Sequence, residues 1–72
     1  MKEIGSLIKK ARKQQGLTQD QLGERIGVKK AQVSRMENGS HLTLPTIKRT
    51  FIALGVTTAT IDLGELGQLK LW

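Results

Sequence analysis

The stretch LTQDQLGERIGVKKAQVSRMENG, residues 17–39, constrains the fold of everything around it. Leu22 and Ile26 lie four apart before Gly27, and Val33 and Met36 three apart after it, which is helical spacing on both sides. Thr18, with Gln21 three residues on, makes a capping-box pattern in which hydroxyl and side-chain amide satisfy open N–H groups reciprocally. Gly27 marks the turn, because glycine takes the left-handed conformation at a helix C-terminus without a Cβ penalty. Gly23 inside the first helix costs about 1 kcal/mol against alanine, and close approach of a second helix would account for it. The second segment carries Lys29, Lys30, Gln32, Ser34 and Arg35 between its apolar positions. A tight helix–turn–helix whose second helix is polar and basic is the form in which proteins enter the DNA major groove.

The flanks extend this into a small helical domain. Ile4, Leu7, Ile8 and Ala11 recur at i, i+3, i+4 and i+7, with Gly16 as the stop, which predicts a first helix over about residues 2–15. Thr43 caps a last helix with Pro45 in its first turn, and Leu44, Ile47, Phe51 and Leu54 form its stripe up to Gly55. The predicted helices are therefore about 2–15, 19–26, 30–38 and 44–54, and residues 1–56 read as one DNA-binding domain. Asn38, Gly39, Ser40 and His41 form a turn by composition, and His41 reads as an exposed loop residue.

Charge placement agrees. The net charge is +6, and residues 1–49 hold eleven of the twelve Lys and Arg against four acids, whereas residues 50–72 hold Lys70 against Asp62 and Glu65. A basic front and a near-neutral tail predict different partners for each. No cysteine is present, so disulfides and thiolate metal sites are excluded. No metal-ligand spacing, no nucleophile beside a base and no Gly-rich phosphate loop argues for an enzyme or a cofactor. The chain lacks an apolar run of membrane-spanning length and a signal-peptide core, so a cytoplasmic protein is expected. RNA-binding modules stack bases on aromatic side chains, and here Phe51 and Trp72 are the aromatics and lie away from the basic segment.

The central run resembles the helix-turn-helix of the phage-repressor (Cro/CI, XRE) family, whose pattern is roughly L-T-Q-x-x-L-A-x-x-x-G-V-S-x-x-x-I-S-x-x-E-x-G. The likeness extends over residues from about 4 to 56. Gly23 stands where the family has Ala, which keeps the site small, and Lys29 where Ser or Thr caps the recognition helix, which weakens that cap. The resemblance implies that Arg12 pairs with Glu37, tying the first helix to the end of the recognition helix. It implies that Gln19, beside Thr18 at a helix N-terminus suited to phosphate, contacts the DNA backbone. Lys30, Ala31 and Arg35 become the base readers, with Lys29, Gln32 and Ser34 nearer the backbone or groove and the amides of Asn38, Gly39 and Ser40 clasping phosphate. The chemistry suits these roles, since Lys and Arg donate to guanine O6 and N7 and a small apolar side chain abuts the thymine methyl. Lys48, near the start of the last helix, adds a backbone contact.

The tail has a separate pattern. Ala59, Ile61 and Leu63 alternate with Thr58, Thr60 and Asp62 between Gly55 and Gly64, which predicts a β-strand with one apolar face. A lone strand leaves its backbone unpaired. Residues 67–72 can fold back on it as a hairpin; the favoured expectation is antiparallel pairing with the same strand of a second copy, giving a homodimer on a palindromic double-stranded operator. Residues 57–72 then form a unit for dimerisation or partner binding, in which Leu71 and Trp72 are a partner anchor or fold onto the domain. A repressor domain, a strand and a tail ending in Trp resemble HipB-type antitoxins, with HigA-type antitoxins as the rival. That implies a toxin partner, a HipA-type kinase or an mRNA-cleaving enzyme, for an autoregulating repressor; a stand-alone or phage-type regulator is the alternative. The expected fold is thus mainly α, four to five helices and a short C-terminal strand.

Overall fold

Side chains spaced three and four apart bring four helices onto one core, and the glycines between them set the turns. The computed structural model describes residues 2–72. It comprises α1 (Lys2–Gln14), α2 (Gln19–Ile26), α3 (Lys30–Glu37), α4 (Leu44–Ala53), and an antiparallel hairpin of β1 (Thr60–Asp62) and β2 (Gln68–Lys70) joined through a 3-10 turn at Gly64–Leu66. Ile8, Leu22, Val33 and Met36 are fully buried and form the centre, with Ile26 and Leu54 at its edge. No helix among the described residues is long and apolar enough to cross a membrane.

Local signals set the helix ends. Thr18 Oγ1 accepts from the Gln21 amide at 3.0 Å while Gln21 Oε1 accepts from the Thr18 amide at 2.8 Å, the reciprocal box that opens α2. Gly27 closes it at φ 77°. Thr43 caps α4, its hydroxyl accepting from the Thr46 amide, with Pro45 in the first turn. Lys29 stands at the N-cap of α3 without a side-chain hydrogen bond, consistent with the missing Ser or Thr.

Two expected stripes turn out rotated. Leu7 is 53 % exposed, while Gly5 and Arg12 of α1 are buried. The cause is a close crossing: a Cβ on Gly5 would lie 2.5 Å from the Glu37 carbonyl and 2.6 Å from that of Met36. Only a glycine lets α1 pass so near the last turn of α3, and that orientation swings Leu7 outward. In α4, Leu44 is likewise 53 % exposed and Phe51 half-buried, while Thr50 is fully buried and donates its hydroxyl to the Thr46 carbonyl at 2.8 Å. Bonding back to its own helix lets a threonine occupy a core position without an unpaired hydroxyl.

Gly23 has a different reason from the one expected. Its missing Cβ leaves room for the carbonyl of Val28, 2.5 Å from where that atom would stand, so the turn folds over α2 itself. The Val28 amide returns to the Gly23 carbonyl at 2.9 Å.

The strand also differs from the favoured expectation. It covers residues 60–62 rather than 58–63, and finds its partner within the chain, with Thr60 opposite Lys70, Ile61 opposite Leu69 and Asp62 opposite Gln68. The pairing is continued by Leu63 N–H to Gly67 O at 2.7 Å, Leu71 N–H to Ala59 O at 2.8 Å and Ala59 N–H to Trp72 O at 3.2 Å. Gly64 and Gly67, at φ 64° and 100°, allow the reversal, and Asp62 Oδ1 accepts the Gly64 amide at 2.9 Å. Trp72 lies against its own domain. It stacks on Phe51, ring centroids 6.4 Å apart at 22°, and its Nε1 donates to the Val56 carbonyl at 3.3 Å.

Candidate nucleic-acid interface

Helix α3 has two unlike sides. Val33 and Met36 are fully buried, whereas Lys30, Ala31 and Arg35 are exposed and Gln32 and Ser34 half-buried. The exposed side therefore offers an ammonium, a methyl and a guanidinium on one short helix. Lys29 stands exposed immediately before them.

An ion pair at its C-terminal end ties α3 to α1. Arg12 Nε donates to Glu37 Oε2 at 2.6 Å and Nη2 to Oε1 at 3.1 Å, so the guanidinium and carboxylate meet as two parallel forks. Both residues are 8 % exposed. Arg12 Nη1 also donates to the Leu17 carbonyl at 2.8 Å. The hydrogen bond to Glu37 holds the Arg12 guanidinium above its ordinary pKa, burial opposes this, and the charge of Glu37 adds to the rise. A raised arginine loses its proton only in strong alkali, so its contribution to folding is constant throughout the neutral range.

Gln19 completes the cluster. Its Nε2 donates to Glu37 Oε1 at 3.1 Å, which joins the N-terminus of α2 to the C-terminus of α3. A side chain expected to face the backbone of a nucleic acid is thus half-buried and engaged from one of its two N–H groups. Thr18 beside it is exposed and occupied in the capping box. Of the first amides of α2, that of Gln21 is held by Thr18 Oγ1 and that of Leu22 by the Thr18 carbonyl, both at 3.0 Å.

Beyond α3, Asn38 and Ser40 are exposed and Gly39 turns the chain at φ 92°. The amides of Asn38, Gly39 and Ser40 are bound to the carbonyls of Ser34 at 3.1 Å, Met36 at 3.0 Å and Arg35 at 2.9 Å, so all three serve the helix end first. His41 is exposed and holds a left-handed φ of 57°. Lys48 is exposed on α4. The structure thus brings Arg12, Gln19 and Glu37 into direct contact and sets the exposed side of α3 beside them; it puts Thr58, Ala59, Thr60, Ile61, Asp62, Leu63, Leu71 and Trp72 in or next to the hairpin.

Gly5 and Gln15 carry weight that sequence reasoning did not assign. Gln15 Nε2 donates to the Leu54 carbonyl at 2.6 Å and closes the end of α4. Gly5 had the same signal as Gly23, a glycine inside a helix. No side-chain N or O atom is buried without a partner, and no cluster of His, Asp or Glu suited to a metal occurs, among the described residues.

The sequence model of a family described as helix-turn-helix matches residues 8–61 of this chain. That span runs from the middle of α1 to β1 and contains all of α2, α3 and α4. No curated protein matches the chain.

Proposed function

The chain belongs to the helix-turn-helix family of Cro/CI (XRE) type and is a DNA-binding transcriptional regulator, and on that premise we propose that it is a repressor reading a palindromic operator as a homodimer. One observation carries the reading: α3 buries Val33 and Met36 and leaves Lys30, Ala31 and Arg35 to solvent together. In the major groove, Lys30 and Arg35 donate to guanine and Ala31 meets a thymine methyl, while Thr18, Gln19, Lys29, Gln32, Ser34, Asn38, Gly39, Ser40 and Lys48 lie along the backbone or groove wall. The dimer forms through the hairpin, where β1 keeps one edge open because the sheet has two strands. Such a protein works where the chromosome is, in the cytoplasm.

Arg35→Ala decides the base-reading role. On duplex DNA from upstream of the protein's own gene it should weaken binding by about 1–3 kcal/mol, and on random duplex it should change little. Anisotropy titrations with the two duplexes give the comparison. Equal loss on both would reduce Arg35 to a backbone contact.

A second reading, in which the repressor is also the antitoxin of a toxin–antitoxin pair, is favoured by the hairpin surface. Ile61, Leu63, Leu66 and Leu69 are 41 to 88 % exposed, an apolar group on an otherwise polar tail. The partner fits this surface rather than Trp72, which its own domain occupies. Co-expression with the products of neighbouring genes should then bring down a kinase or an mRNA-cleaving enzyme. A chain that purifies alone yet binds its promoter as a dimer leaves the stand-alone regulator.

A further inference from the structure

We propose that Lys2, Lys9 and Lys13 of α1 form a track for DNA backbone phosphates, continuous with the turn that follows α3. The inference rests on the DNA-binding reading above and adds a surface outside the helix-turn-helix. Lys2, Ser6, Lys9 and Lys13 stand at i, i+4, i+7 and i+11, one line along a helix. All four are exposed, and no acid shares the line. Lys2 and Lys9 stand three residues before and four after Gly5, the residue that touches the Met36 and Glu37 carbonyls. They therefore leave α1 beside the end of α3, whereas Ile4, Ile8 and Ala11 lie on the other flank, toward the core. Lys13 carries the line one turn further, following in sequence Arg12, whose partner Glu37 also accepts from Gln19.

The amines are free to act. Among the described residues, the ion pair within 4.0 Å is Arg12–Glu37, so none of these lysines has a carboxylate of its own. From Lys2 to Lys13 the helix rises about 16 Å at 1.5 Å per residue. One strand of duplex DNA carries a charge about every 3.4 Å along its axis, so the line is long enough to run past several phosphates. A cation row beside the C-terminal carbonyls of α3 also favours the helix dipole, but that effect belongs to stability and not to salt-dependent binding. The two are separable.

The test compares two doubly substituted chains with the same loss of charge, K9Q/K13Q on the line and K10Q/K70Q off it. Affinity for a short random-sequence duplex is measured across a salt series, with thermal melts for each chain. Removing one lysine–phosphate pairing lowers the slope of log K against log salt by about 0.9. K9Q/K13Q should therefore lower it by about 1.8, K9Q alone by about half as much, and K10Q/K70Q by much less. Equal slopes for the two double variants, or a change confined to the melting temperature of K9Q/K13Q, would overturn the track and leave the DNA-binding reading standing. A parent chain whose binding is indifferent to salt would overturn both.

Discussion

Glu37→Ala should cost about 3–5 kcal/mol of folding stability, the range for removing one partner of a buried ion pair. The guanidinium of Arg12, 8 % exposed, would keep its bond to the Leu17 carbonyl and lose both bonds to Glu37. Gln19 would lose its partner as well. A chain of this length has about 4–11 kcal/mol to lose in total, so the substitution removes a large share. Since 1 kcal/mol corresponds to about 4–8 °C in a domain this small, Tm should fall by about 12 °C or more in a circular-dichroism melt. The cost comes from the uncompensated charge rather than from any great net strength of the pair. Arg12→Met together with Glu37→Leu should therefore recover most of the loss. A single substitution costing under about 1 kcal/mol, the range of an exposed pair, would mean that water reaches Arg12.

The ion pair illustrates what the sequence discloses. Arg12 and Glu37 stand twenty-five residues apart, and no local rule joins them; the resemblance named them together. Elements that depend on neighbours were legible from the residues alone: Thr18 with Gln21, Gly27, Thr43 with Pro45, and the burial of Val33 and Met36 on α3. Elements that depend on how helices cross were not. The crossing at Gly5 decides which residues of α1 face inward, so an apolar count that includes Leu7 and omits Arg12 misjudges the inner face. Gly23 shows the limit from another side, because a glycine inside a helix reports a close neighbour without saying which. The hairpin had a local clue in Gly64 and Gly67, two glycines placed to reverse the chain, yet the alternation over residues 58–63 reads as one strand. Its return strand, Gln68–Lys70, is too short and too polar to stand out. The DNA-facing roles on α3 lie at a further remove, since exposure places side chains and not bases.

Thr60→Pro should convert the proposed dimer to a monomer and weaken binding to the palindromic operator by about 10²–10⁴, the factor that linking two sites contributes. The position follows from the ladder. Ala59 and Leu63 give their amides to Trp72 and Gly67 across the hairpin, and amides alternate in direction along an antiparallel strand. Those of Thr60 and Asp62 therefore point to the open edge of β1, where a second copy would pair. Proline at 60 removes an outward donor and none that closes the hairpin, and proline is tolerated at a sheet edge. Asp62 is the poorer choice, because its carboxylate holds the Gly64 amide in the turn. β2 is the less suitable edge, since Lys70 stands on it and an edge lysine discourages pairing. Two copies joined through β1 make a four-stranded sheet, and a sheet of three or more strands is stable where a lone hairpin is marginal. The strand residues of both β1 and β2 are exposed throughout, as they must be if that surface awaits a second copy. Light scattering gives the state of the variant, and Trp72 fluorescence unchanged from the parent's shows that the hairpin persists, since Trp72 pairs with Ala59 and stacks on Phe51. A Thr60→Pro chain that stays dimeric would move the interface off β1, and the exposed Leu44 and Ile52 of α4 would be the next surface to substitute.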